Sequence, residues 1–102
     1  MEQRPPVIES SALGALQKKD VLNRLARVEG QLRGVQRLIA LADVPADIDA
    51  AAQQMAAARK ALDRAFVQLL AGAIVTQGGN ATDLEQARAN AAHVAALLEK
   101  YA

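Results

Sequence analysis

The chain has 102 residues, one histidine, no cysteine, no tryptophan and a formal net charge of +1. That length bounds it to a single domain. The lack of cysteine excludes disulfides, thiolate metal sites and a cysteine nucleophile. With Phe66 and Tyr101 as the only aromatics, no stacking platform for single-stranded nucleic acid exists.

In chain order, residues 1–15 read as a flexible arm, since Pro5-Pro6, Ser10-Ser11 and Gly14 interrupt regular structure. Residues 16–102 read as one helical domain. From Leu16 to Leu41 the apolar spacing is helical, with Leu25, Val28, Leu32, Val35 and Ile39 as a seam widened by Leu22 and Leu38. Gly30 and Gly34 fall opposite that seam. Each costs about 1 kcal/mol of helix stability relative to alanine, so either something approaches the backbone there or packing overrides propensity.

Asp43-Val44-Pro45 closes the first helix. Proline restricts the residue before it and suits the first position of the next helix. Asp47 and Asp49 then lie where the helix dipole favours negative charge. The second helix is expected from Ala46 to Thr76, about 45 Å at the standard rise. Its seam is Met55, Ala58, Leu62, Ala65 and Leu69, extended by Ile48 and Ala73. Gly78-Gly79 is expected to stop it. Thr82 to Glu85 reads as a capping box, and a third helix follows with Leu84, Ala87, Ala91, Val94, Leu98 and Tyr101 on one side. No strand pattern occurs. The fold class is therefore all-α: two long antiparallel helices plus a short C-terminal helix. A lone pair of long helices leaves apolar surface uncovered, so a dimeric four-helix bundle is expected.

The small net charge hides an asymmetry. Residues 1–41 carry seven Lys/Arg against four Asp/Glu, and residues 42–102 carry five against seven. Lys18–Arg37 alone has six basic and two acidic residues. Such an excess suits a polyanion, although a basic helix face can also be merely solvated. The N-terminal residues lack a basic-then-apolar signal pattern, and no apolar run is long enough to span a bilayer. A cytoplasmic protein that does not engage membranes is the expectation.

Two stretches support a comparison with a family. Asn23-Arg24-Leu25-Ala26-Arg27-Val28-Glu29-Gly30-Gln31-Leu32-Arg33-Gly34-Val35-Gln36-Arg37, followed by Gln54-Met55-Ala56-Ala57-Ala58-Arg59-Lys60-Ala61-Leu62-Asp63-Arg64-Ala65, resembles the CsoR/RcnR/FrmR-type metal- and formaldehyde-responsive repressors. The similarity covers about residues 18–77. It implies a tetramer built from two four-helix dimers, and repression by binding duplex operator DNA in the ligand-free state. It also implies DNA contacts from dispersed basic residues without a helix-turn-helix, Arg24 and Arg64 among them.

The departures are as informative. The resemblance places a sensing cysteine near the start of the second helix, then a histidine and usually a second cysteine near its end. Counting back from Leu62 puts the first cysteine at Ile48, while counting forward from Arg37 puts it at Pro45. The counts differ by three, which implies an insertion in the connecting loop. The histidine falls on Ala73 and the second cysteine on Gln77. A vestigial sensing pocket of Pro45, Ile48, Ala73 and Gln77 carries no thiolate or imidazole for a soft metal and no nucleophile for formaldehyde. Degeneration into ordinary packing is one reading. An apolar or hydrogen-bonding small-molecule inducer is the other.

Local pairing sorts the basic residues. Asp20 precedes Arg24 by four, Glu29 precedes Arg33 by four, and Asp63 follows Arg59 and Lys60. Each such pair contributes a few tenths of a kcal/mol. Lys18, Lys19, Arg27, Arg37 and Arg64 have no acid three or four residues away, so they are freer to meet phosphate. The candidate DNA-binding set is Lys18, Lys19, Arg24, Arg27, Arg37 and Arg64. His93, beside Val94 on the third helix, reads as a helix-packing or exposed side chain rather than a ligand. No catalytic motif, resident metal or cofactor site is found, so an enzyme is not expected. The reading is a transcriptional repressor that binds double-stranded DNA as a homo-oligomer, with an inducer other than a thiolate-bound metal. The alternative is a helical oligomerisation module that has lost DNA binding, assembling alone or with a cysteine-bearing paralogue.

Overall fold

A computed structural model of the chain describes residues 10–101. Three helices make up its regular structure: α1 (Ala15–Ala40), α2 (Pro45–Asn80) and α3 (Leu84–Tyr101), with no strand among the described residues. The all-α class is as expected from the apolar periodicity. No helix is long and apolar enough to cross a membrane among the described residues.

The chain divides into two compact units, Asp20–Val67 and Met1–Lys19 with Gln68–Ala102. The first is a helical hairpin, formed by most of α1 and the first two-thirds of α2. Pro45 opens α2 at the first helical position, where its missing N–H is no loss. Asp47, one turn in, reaches back to accept hydrogen bonds from the Asp43 and Val44 backbone N–H groups at 2.9 and 3.1 Å.

The hairpin is closed by small residues. Val21, Val28 and Val35 of α1 and Ala51, Ala58 and Ala65 of α2 are its buried apolar side chains. Both sets repeat every seven residues. An antiparallel register that opposes Val35 to Ala51 therefore also opposes Val28 to Ala58 and Val21 to Ala65. The expected seams are thus only partly buried. Leu22, Leu32, Leu38, Ile39, Ile48, Met55 and Leu62 remain exposed within the subunit. Two helices in contact need only a narrow strip of each surface, and valine opposite alanine lets them approach closely. The wider apolar stripe is left over.

The second unit joins residues 10–19 to the C-terminal part of α2 and to α3. Leu70, Ala73 and Val94 are its buried apolar side chains. The helix α2 runs through Gly78-Gly79 to Asn80 instead of stopping at Thr76, and no described glycine has positive φ. The Asn90 side chain donates to the Gln77 carbonyl at 3.0 Å, satisfying one of the acceptors a helix end leaves open. That tertiary contact supports the last turn despite the poor helix propensity of two glycines.

The cap of α3 sits one residue later than the sequence suggested. Asp83 accepts from the Gln86 N–H at 2.7 Å, and Gln86 reaches back to accept from the Thr82 N–H, also at 2.7 Å. Aspartate caps the Gln86 N–H as threonine would cap Glu85, while Gln86 reaches one residue further back than a capping box does, to Thr82 instead of the cap residue itself. Aspartate is the stronger cap of the two.

Of the expected arm, residues 1–9 lie outside the described residues. Ser10 to Gly14 precede the helix, but they are not loose. Ser10 Oγ accepts from the Leu13 N–H at 3.1 Å, and the Gly14 N–H donates to Thr76 Oγ1 of α2 at 2.9 Å.

Candidate nucleic-acid interface and sensing positions

The candidate interface starts from helix surfaces rich in arginine. On α1, Arg24 is held by Asp20 at 3.3 Å and Arg33 by Glu29 at 3.6 Å. Both pairs have the acid N-terminal to the base, the better orientation on a helix. Asp63 has the opposite order with Arg59 and Lys60, and no ion pair forms between them. Pairing is exposed in both cases, so each pair contributes little to stability.

Arg27, Arg37 and Arg64 are exposed and lie in no ion pair among the described residues. All three belong to the hairpin unit. Arg27 and Arg37 are ten residues apart on α1, about 15 Å along the axis. They lie away from the face that Val21, Val28 and Val35 bury. Lys18 and Lys19 stand in the first turn of α1, in the other unit, half-buried and exposed respectively. The six candidate cations are therefore divided between the two units. Every one except Arg24 lacks a carboxylate partner among the described residues.

The four sensing positions also divide. Pro45 and Ile48 are exposed at the start of α2 in the hairpin unit. Ala73 and Gln77 are buried one turn apart in the other unit, at 8% and 7% exposure. Within either unit no cavity contains all four.

Gln77 is the polar centre of its unit. Besides the bond from Asn90 to its carbonyl, its side-chain Oε1 lies 3.3 Å from His93 Nδ1. An amide oxygen can only accept, so as a hydrogen bond this contact uses the tautomer with the proton on Nδ1. His93, expected as a helix-packing or exposed side chain, is exposed and reaches this partner on α2. Asn90 and His93 at i and i+3 share a face of α3, and that spacing was the available signal for a polar contact with α2. Beside Gln77 lies an open, almost wholly apolar cleft of about 340 Å³ between α2 and α3, lined by Ile74, Ala91, Val94 and Leu98 among others.

As a metal site these positions do not fit. Proline, isoleucine and alanine offer no donor, and the Gln77 oxygen is a weak neutral donor already engaged by His93. No group of three or more His, Asp or Glu residues is placed to hold a metal among the described residues.

The described residues thus form a hairpin of two long helices and a shorter third helix, with cations dispersed over the helix surfaces. The model of one family, the metal-sensitive transcriptional repressors, matches residues 17–100. The chain belongs to that family, as the wording of α1 and α2 indicated. No curated protein and no solved structure matches it.

Proposed function

We infer that the chain represses transcription by binding duplex DNA as a homo-oligomer. Lys18, Lys19, Arg24, Arg27, Arg37 and Arg64 make the phosphate contacts. The observation that carries this reading is the set of exposed cations with no carboxylate partner among the described residues, above all Arg27, Arg37 and Arg64. In a family of transcriptional repressors, unpaired cations on helix faces are suited to backbone contact and shape readout. The inducer is a small molecule or ion that does not need a thiolate. Its proposed site is the end of α2 around Ala73 and Gln77.

The test is duplex binding to the region upstream of the protein's own gene. The Arg27→Glu, Arg64→Glu double variant should bind at least tenfold more weakly. The parent's log K should fall linearly with log salt, with a slope near −0.9 per phosphate neutralised. Binding that is unchanged in the variant and insensitive to salt would sink the mechanism.

The large exposed apolar side chains favour a second reading, an assembly module without DNA binding. A parent protein that oligomerises but binds no duplex from low to physiological salt would support it.

A further inference from the structure

We propose that Thr76 is a positioning residue, which ties the basic first turn of α1 to the sensing end of α2. It rests on the DNA-binding reading above.

The residues concerned all belong to one unit. Thr76 Oγ1 accepts the Gly14 N–H at 2.9 Å. Gly14 in turn accepts the first helical bond of α1, from the Lys18 N–H at 2.9 Å. One turn before Thr76, Gly72 is a notch. A Cβ built there would stand 3.0 Å from Gln17 Cβ and Cγ and from Leu13 Cδ1. A side chain at this position therefore requires Gln17 and Leu13 to give way by a few tenths of an ångström. Leu13 is set for this contact by the Ser10 turn, with hydrogen bonds of 2.9 and 3.1 Å to the Leu13 carbonyl and N–H. The segment leading into α1 is thus clasped to α2 by one hydrogen bond and one close steric fit. The clasp residues Gly72 and Thr76 alternate along α2 with the sensing positions Ala73 and Gln77, and all four fall within two helical turns. Lys18 and Lys19 follow the clasp directly. A change at Ala73 or Gln77 that rotates or shifts this stretch of α2 must move Thr76 with it, and so the turn bearing the two lysines. A docked segment has two discrete arrangements, held or released, which is what a coupling element requires.

The experiment uses the full chain and two readouts. Hydrogen exchange follows the Gly14–Lys19 amides. Duplex binding is measured from about 50 to 200 mM salt, where phosphate contacts are most visible. Thr76→Val keeps the shape and removes the acceptor, while Thr76→Ser keeps the acceptor. Thr76→Val is expected to lose protection at Gly14–Lys19. It should weaken duplex binding on the order of three- to tenfold and flatten the salt dependence, with Thr76→Ser behaving as the parent. Gly72→Ala, which opens the clasp from its steric side, should match Thr76→Val and serves if that variant does not fold. Lost protection with unchanged affinity and salt slope would overturn the proposal, leaving a purely structural contact.

If the parent binds no duplex at all, the functional reading fails and exchange alone decides the clasp. Ala73→Leu, a bulky stand-in for an occupied sensing end, should then lower protection at Gly14–Lys19 in the parent background. It should add nothing in the Thr76→Val background. Equal effects in both backgrounds would overturn the proposal.

Discussion

Asp47 shows how much one side chain does at the turn between α1 and α2. The hydrogen bonds from the Asp43 and Val44 N–H groups stabilise its ionised form and hold its pKa below the ordinary 3.8. A lowered folded-state pKa means that the contribution is fully present above the unfolded value. It is lost as pH falls through the folded one. Thermal midpoints of the parent should therefore decline as pH drops below about 4, and Asp47→Asn should show a smaller decline over that window. An equal decline in both proteins would place the acid sensitivity elsewhere. Gly30 makes a second residue-level case. A Cβ there meets nothing within 4 Å in the subunit, so only the helix penalty of glycine applies. Gly30→Ala should raise stability by up to about 1 kcal/mol in chemical denaturation. A loss of stability instead would show that a neighbouring subunit fills that space.

At the scale of elements, the hairpin depends on alanine. Ala58 is 2% exposed between the two helices. Ala58→Leu must force α1 and α2 apart and should cost about 1–3 kcal/mol, read as a lower denaturation midpoint with retained helicity. The helices themselves were legible because a period near 3.6 runs through all three segments. Which stripe faces inward was not. Leu25, Val28, Leu32, Val35 and Ile39 form one apolar band, and hydrophobicity alone cannot say that its valine edge meets α2 while Leu32 and Ile39 stay outside. Small size, repeated every seven residues at Ala51, Ala58 and Ala65, was the missing cue. The end of α2 was misread for a related reason. Gly78-Gly79 is a stop by propensity, but the Asn90 contact to the Gln77 carbonyl comes from a separate helix and is invisible in local sequence. The same holds for the candidate site. Free and paired cations on α1 followed from spacing along one helix, whereas the Gln77–His93 and Gly14–Thr76 contacts link residues 16 and 62 positions apart.

For the whole molecule, the exposed Leu32, Ile39, Met55 and Leu62 of the hairpin unit are the apolar side chains a second copy would cover. Leu62, at 48% exposure, is an informative position. In the isolated subunit a charge there is tolerated, whereas in the proposed bundle it would be buried. Leu62→Glu should shift the protein to a smaller species in sedimentation or light scattering and lower its thermal midpoint. A variant with unchanged mass and midpoint would mean that this stripe is not an assembly surface.

The valine–alanine seam has a consequence for gene dosage. A hairpin closed by such slender side chains buries little area on its own. In the proposed homo-oligomer its bulky leucines would contribute only once a second copy arrives, so folding and association would be one equilibrium, with a midpoint temperature that rises with protein concentration. A cell holding few copies would then have mostly unassembled chains, and occupancy of the proposed operator would climb more steeply than the number of molecules. On that reading, the choice of alanine over leucine inside the hairpin sets a threshold in copy number.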